Sequence, residues 1–72
     1  MNDRSTITIL LHDTPRDVAE GCTLLALLEQ LGHAPQSVAT AVNGRFVART
    51  QRAAWVLQPS DAVLLFQPIV GG

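Results

Sequence analysis

The chain has no lysine, and its five basic residues are all arginines: Arg4, Arg16, Arg45, Arg49 and Arg52. It therefore offers no side-chain amine that could act as a nucleophile or form a Schiff base. Charged residues make up only 15% of the chain, and the net charge is -1. Because nucleic acids and anionic membranes bind basic faces, we expect neither as a partner.

Cysteine is almost absent as well. Cys22 stands alone, which excludes an intramolecular disulfide and suits a reducing compartment. The polar stretch 1–5 has no signal-peptide h-region. The longest apolar run, Leu24 to Leu28, is too short to cross a bilayer. We therefore expect a cytoplasmic protein.

A catalytic side-chain set is also missing. An enzyme with its own active site needs a nucleophile with a base, a metal cluster or a phosphate-binding loop. His12 and His33 fall on different predicted elements without metal-ligand spacing, so they are interpreted as surface or structural residues and no metal site is expected. Cys22 lies near a predicted helix start, where a reactive thiol or a persulfide acceptor is possible. A half-buried, unreactive cysteine is the favoured alternative.

With 72 residues, of which 47% are hydrophobic, the chain is predicted to form one globular domain, residues 1–72. Its clearest element is a helix. Thr23 is a good N-cap, and Gly32 is a good terminator. Between them an apolar stripe recurs at helical spacing: Leu24, Leu27, Leu28 and Leu31.

Alternation and turn residues predict the strands around this helix. Ile7, Ile9 and Leu11 should share one face of the first strand. Asn43-Gly44 is the strongest hairpin signal. The predicted order is strand 6–11, turn 13–15, weak strand 16–19, helix, strand 38–42, strand 45–48, an irregular or helical stretch 49–57 with Trp55 as a core anchor, turn 59–61, and strand 62–66.

The last strand, 62–66, is a continuous apolar run, so it is predicted to be central and buried on both faces. Pro68 should end its pairing. This order predicts an α+β, ubiquitin-like β-grasp fold, with a mixed sheet of four to five strands packed on one main helix. Phe66, Ile69 and Val70 lie at or beyond the end of that strand, where a partner interface and a core position are both possible.

The chain ends in Gly71-Gly72, which chance gives in roughly one chain in two hundred. A frayed end or a cloning scar is one explanation. The other is a flexible carrier tail of about residues 67–72. Glycine permits close approach to a partner's active site, and the terminal carboxylate is ionised at neutral pH. The carboxylate would attack ATP to form an acyl-adenylate. Sulfur would then displace AMP and leave a thiocarboxylate.

The chain resembles the ThiS family of sulfur carrier proteins from about Ile7 to Gly72. Five stretches carry the resemblance: Ile9-Leu10-Leu11-His12-Asp13, Leu27-Leu28-Glu29-Gln30-Leu31, Ala41-Val42-Asn43-Gly44, Val47-Ala48-Arg49 and Leu64-Leu65-Phe66-Gln67-Pro68-Ile69-Val70-Gly71-Gly72. Two positions differ from the family pattern. Arg52 stands where a tryptophan is frequent, and Ser60 stands where a glycine usually precedes Asp61.

The resemblance implies a carrier for the thiazole moiety of thiamine rather than an enzyme. It implies that a ThiF-type adenylyltransferase uses ATP to activate Gly72, and that the carrier itself binds no cofactor. A cysteine desulfurase or other donor would supply sulfur, and the ThiG-type thiazole synthase would receive it. Gly71 would give access to the tail end, while Phe66, Ile69 and Val70 would face partners.

Three alternatives remain open. A MoaD-like carrier for molybdopterin synthesis would share the tail chemistry, although the short chain and Gln67-Pro68-Ile69 favour ThiS. A carrier for another sulfur-containing metabolite would share it too. A β-grasp binding module that never uses its tail belongs to a different class.

Overall fold

The computed structural model describes residues 5–67. Two short 3₁₀ helices, Pro35–Ser37 and Arg49–Ala54, lie between the main elements. The strands and the α-helix in this part of the chain are β1 (Thr6–Leu11), β2 (Thr14–Ala19), α1 (Leu24–Leu31), β3 (Ala39–Val42), β4 (Arg45–Val47) and β5 (Ala62–Phe66).

The strands form one sheet in the order β2-β1-β5-β3-β4. β1 and β5 are parallel, with Leu10 opposite Ala62 and Leu11 opposite Val63. The other neighbouring pairs are antiparallel. The last described strand therefore returns to the centre of the sheet, which confirms the predicted central position.

Helix α1 forms for the reasons that its sequence indicates. The Thr23 hydroxyl accepts a hydrogen bond from the backbone N–H of Ala26 at 3.1 Å, which satisfies a free donor of the first turn. Gly32 ends the helix in the left-handed region, at φ 82°. The cap, the stop and the predicted span are all confirmed.

The leucine stripe of α1 packs against one face of the sheet. Its members Leu24, Leu27 and Leu28 are fully buried, and Leu31 packs at the edge of the cluster. The sheet meets them with buried side chains from several strands: Ile9, Val18, Val42, Val47 and Val63. A helix packed across a mixed five-stranded sheet that begins with a hairpin is the β-grasp, ubiquitin-like fold.

The prediction that β5 is buried on both faces is wrong. Val63 is fully buried and Leu65 packs against the core, but Leu64 is only partly buried and Phe66 is exposed. Successive residues of a strand point to opposite faces, and α1 covers only one of them. The continuous apolar run of β5 therefore has an open side.

The first hairpin turns earlier than predicted. His12 and Asp13 take φ values of 53° and 66°, and β2 already begins at Thr14. The prediction of a turn at 13–15 is thus wrong, because Pro15 belongs to β2. β2 is an edge strand, where the missing N–H of a proline can face solvent.

The second hairpin is confirmed: Asn43 and Gly44 take φ values of 54° and 81° and connect β3 to β4. β3 and β4 are each one residue shorter than predicted, because Val38 and Ala48 lie outside them. The stretch 49–57 contains a 3₁₀ helix, one of its two predicted forms. Trp55 is half-buried against the core rather than inside it, so its role as a core anchor is only partly met.

The predicted turn at 59–61 is present and is tied to the second hairpin. Asp61 accepts hydrogen bonds from the Gln58 backbone at 2.8 Å and from the Asn43 amide at 2.9 Å. Ser60 has a φ of 70°, in the left-handed region that favours glycine. The backbone conformation thus explains why a glycine suits this position.

Arg52 is a buried cation, and the sequence around it gives no reason to expect its burial. It is 2% exposed, and its guanidinium donates to Thr40 Oγ1 at 3.1 Å and to the carbonyls of Pro35 and Val38 at 2.7 Å each. Burial, and then the nearby Arg49, lower its pKa from the ordinary arginine value. Arg52 thereby joins the segment before β3 to the second 3₁₀ helix.

We expect Arg52→Ala to lower the free energy of unfolding by about 3 kcal/mol, because it leaves three polar groups without their charged donor. Arg49→Ala is the matched control. It removes an exposed arginine from the same 3₁₀ helix and should change stability by less than about 0.5 kcal/mol. Urea unfolding followed by circular dichroism measures both. Equal midpoints for the two variants would contradict this account of Arg52.

Candidate functional site

Most of the predicted site falls on the C-terminal residues. Ile69, Val70, Gly71 and Gly72 lie outside the described residues, so their roles stay predictions. The described chain reaches Gln67, one residue after β5. Because β5 occupies the centre of the sheet, Gln67 follows a central strand and not an edge strand.

The sheet has an open face, on the side away from α1. Strand register places one set of side chains there, because paired residues of neighbouring strands point to the same side. Leu64 and Phe46 both pair with Ala41, Phe66 pairs with Ala39, and Ala62 pairs with Leu10. Around β5 the open face is therefore apolar, with Leu10, Ala39, Ala41, Phe46, Ala62, Leu64 and Phe66. Farther along β1 and β2 the same side of the sheet carries Thr8 and Asp17, whose side chains are hydrogen-bonded to each other.

Two aromatic rings dominate the open face. Phe66 is 47% exposed, so it does not lie in the core, and its contact with partners stays a prediction. Phe46 is 70% exposed, and sequence reasoning missed it. The signal was its place in a three-residue edge strand: with Val47 buried on the helix side, Phe46 must point the other way. An exposed apolar patch of this kind is typical of a protein interface.

A cleft of about 520 Å³ lies beside the end of β5. His12 lies in the turn after β1 and His33 in the segment after α1, so neither is on a strand or a helix, and both residues line this cleft. The residues around it are Leu11, His12, Leu31, His33, Ser37, Val38, Leu65, Phe66 and Gln67. His12 also has a structural role, because its Nε2 accepts a hydrogen bond from the Leu65 backbone N–H at 3.2 Å.

Cys22 is buried in the core and 8% exposed, less accessible than the half-buried cysteine that the sequence favours. Its thiol donates weakly to the Thr23 carbonyl at 3.4 Å. Burial raises the pKa of the thiol, which disfavours the reactive thiolate. The geometry thus supports the unreactive interpretation over the persulfide acceptor.

Among residues 5–67, no three histidine, cysteine, aspartate or glutamate side chains gather where they could share a metal ion. No helix within the same residues is long and apolar enough to cross a membrane.

The described geometry defines a ubiquitin-like β-grasp domain with an apolar open face beside the root of its C-terminal tail. The sequence profile of the ThiS family matches residues 6–72, which includes the two terminal glycines. The chain belongs to the ThiS family.

Two known proteins illustrate the relationship. The sulfur carrier protein ThiS of Escherichia coli (strain K12) is 42% identical over 64 residues, covering 89% of this chain and 97% of that protein. The crystal structure of the thiamine biosynthesis protein ThiS from Geobacter metallireducens superimposes with a TM-score of 0.80 at 26% identity. The match covers 92% of this chain and all of that one.

The burial of Cys22 predicts slow alkylation. At neutral to mildly alkaline pH, iodoacetamide should modify the folded chain at least about tenfold more slowly than the chain unfolded in urea. The raised pKa keeps the folded thiol protonated at pH values where the unfolded thiol ionises. Intact-mass kinetics measure the rates. Equal rates for folded and unfolded chains would show that the fold does not protect the Cys22 thiol and would contradict the unreactive interpretation.

Proposed function

We propose that this chain is a sulfur carrier for the thiazole moiety of thiamine, and that it is a substrate of partner enzymes and not itself an enzyme. The family match carries the proposal, because it spans residues 6–72 and so includes both the β-grasp core and Gly71-Gly72. The relative from Escherichia coli is named as the sulfur carrier protein ThiS. A cytoplasmic location fits the same role.

The chemistry needs only the terminal carboxylate of Gly72 on this chain. A ThiF-type adenylyltransferase directs that carboxylate onto the α-phosphorus of ATP, which forms an acyl-adenylate and releases pyrophosphate. Sulfide then displaces AMP, or a persulfide does so and a thiol reductant cleaves the S–S bond of the resulting acyl disulfide, with the thiol oxidised to a disulfide. The product is a thiocarboxylate, whose sulfur passes to the ThiG-type thiazole synthase. A cysteine desulfurase or another donor supplies the sulfur.

The described residues support separate roles for the tail, which would carry the sulfur, and the domain, which would bind the partner enzymes. Cys22 is buried. Gly71 has no side chain, so it would let Gly72 enter a narrow active site of a partner enzyme. The domain contributes the open face, with Phe66 directly before the tail and Phe46 across the sheet. By the family resemblance, Ile69 and Val70 would also contact the partners. Partner enzymes would dock on this surface while the tail enters their active sites.

Incubation with a ThiF-type enzyme, ATP and a sulfur donor should raise the intact mass by one oxygen-to-sulfur exchange. The change should need all three additions, because adenylation precedes sulfur transfer. A variant that lacks Gly72 should stay at its original mass, since its terminal residue no longer reaches the α-phosphorus. An unchanged wild-type mass would defeat the carrier proposal and favour a β-grasp binding module.

The acceptor distinguishes this proposal from a MoaD-like carrier, which would use the same tail chemistry. The thiocarboxylate form should bind a ThiG-type thiazole synthase in a pull-down and lose its sulfur there. Preferential capture of the large subunit of molybdopterin synthase would instead assign the MoaD-like role. Capture of neither acceptor, with loading intact, would favour a carrier for another sulfur-containing metabolite.

The open face should control the affinity for the adenylating enzyme. Phe66→Ala should raise the KM for the carrier about tenfold, because exposed aromatic anchors contribute most to such interfaces. Val56→Ala is the matched control, since Val56 is 44% exposed but lies outside the sheet, in a bridge to Thr23. Steady-state pyrophosphate release measures KM. If both variants have the wild-type KM, the open face is not the docking surface.

A further inference from the structure

A second, smaller hollow of about 220 Å³ lies beside β4. We call it the arginine hollow, because Arg49 and Arg52 line it together with four apolar residues: Pro35, Val38, Ala39 and Phe46. Ala39 and Phe46 also belong to the open face. The arginine hollow therefore adjoins the surface proposed for docking.

Arg52 brings to this hollow a positive charge that the described chain does not balance. Its guanidinium donates to a hydroxyl and to two carbonyls, and all three acceptors are neutral. A buried charge is normally paired, because an unpaired one loses its hydration without compensation. The carboxylates in the described part of the chain lie elsewhere than in the lining of the hollow: Asp13, Asp17, Glu20, Glu29 and Asp61.

Arg49 adds to the positive potential of the hollow. It is the exposed first residue of the 3₁₀ helix that also contains Arg52. After burial, the charge of Arg49 is the second cause that lowers the pKa of Arg52, so the two cations repel each other. An anion between them would relieve this repulsion. Their proximity at one hollow thus indicates an anionic ligand.

Donors for such a ligand are available. A guanidinium has five N–H groups in a planar fork. The three bonds of Arg52 use one N–H on Nε, one on Nη1 and one on Nη2, which leaves one on each terminal nitrogen. The exposed guanidinium of Arg49 can turn toward the same hollow. Arginine forks bind carboxylates and phosphates by paired, charge-assisted hydrogen bonds.

We propose that Arg49 and Arg52 form a carboxylate-binding site, which receives an acidic side chain of the docked adenylyltransferase. The apolar lining favours a side-chain carboxylate over free phosphate, because it suits the methylene groups behind the charged end. A protein that covers Phe46 on the open face also reaches the hollow. The identity of the partner rests on the carrier function proposed above, whereas the carboxylate site does not.

The site is tested by titration of ¹⁵N-labelled full-length protein with propionate, which has the same end as a glutamate side chain. Propionate replaces chloride at constant ionic strength, so that screening does not change. The Nε–H resonance of Arg52 should shift and saturate. Arg49→Gln should weaken the binding about twofold to fivefold, the usual contribution of an exposed ion pair.

Arg16→Gln is the matched control for this titration. It removes the same charge from β2, at the opposite edge of the sheet, and should leave propionate binding unchanged. A resonance that does not saturate, or equal weakening in both variants, would show that the hollow is not a carboxylate site. Inorganic phosphate is the competing probe: binding at a lower concentration than propionate would identify a free-anion site and overturn the proposal.

The partner is tested by steady-state adenylation with a ThiF-type enzyme. Arg49→Glu should raise the KM for the carrier at least about fivefold with kcat unchanged, because it places a carboxylate against the partner's own. Arg16→Glu carries the same reversal of charge and should keep the wild-type KM. The effect of Arg49→Glu should shrink as salt is added, which a purely structural role of Arg49 would not produce.

Two further outcomes separate the failures. If propionate binds as expected but Arg49→Glu keeps the wild-type KM, the carboxylate site exists and its use by the adenylyltransferase is overturned. If the wild-type chain itself supports no pyrophosphate release, the carrier function fails and the assigned partner fails with it. The propionate titration then still decides whether Arg49 and Arg52 form the site.

Discussion

The parallel pairing of β1 with β5, beneath the leucine stripe of α1, is the contact on which the other features depend. It joins the beginning and the end of the described chain, so the last strand occupies the centre of the sheet. Ile9 and Val63, from these two strands, are completely buried under the helix. Because β5 is held there, the open face and the root of the tail lie side by side.

The features that sequence reasoning predicted well are encoded locally. The stripe Leu24, Leu27, Leu28 and Leu31 lies within two turns of helix, and both of its ends have their own capping residues. Asn43-Gly44 sets a hairpin by its own backbone preferences. The order of the helix and strands is compatible with few folds, so the β-grasp fold and the central place of β5 could be predicted.

Features that depend on distant partners could not be predicted this way. Arg52 is buried because the carbonyls of Pro35 and Val38, more than a dozen positions away in sequence, converge on it. The bond from Leu65 to His12 spans 53 positions. Phe46 and Phe66 share the open face only through their pairing with β3. The tail itself was proposed from composition and resemblance, and Gly72 lies outside the described residues.

The central claim is that sulfur is carried on the terminal carboxylate of Gly72. The most direct measurement is the position of the sulfur atom after loading, located by fragmentation in tandem mass spectrometry. We expect an oxygen-to-sulfur exchange in C-terminal fragments that contain Gly72, and unchanged fragments that contain Cys22. One added sulfur on Cys22, with an unaltered C-terminus, would identify a cysteine persulfide and contradict the account.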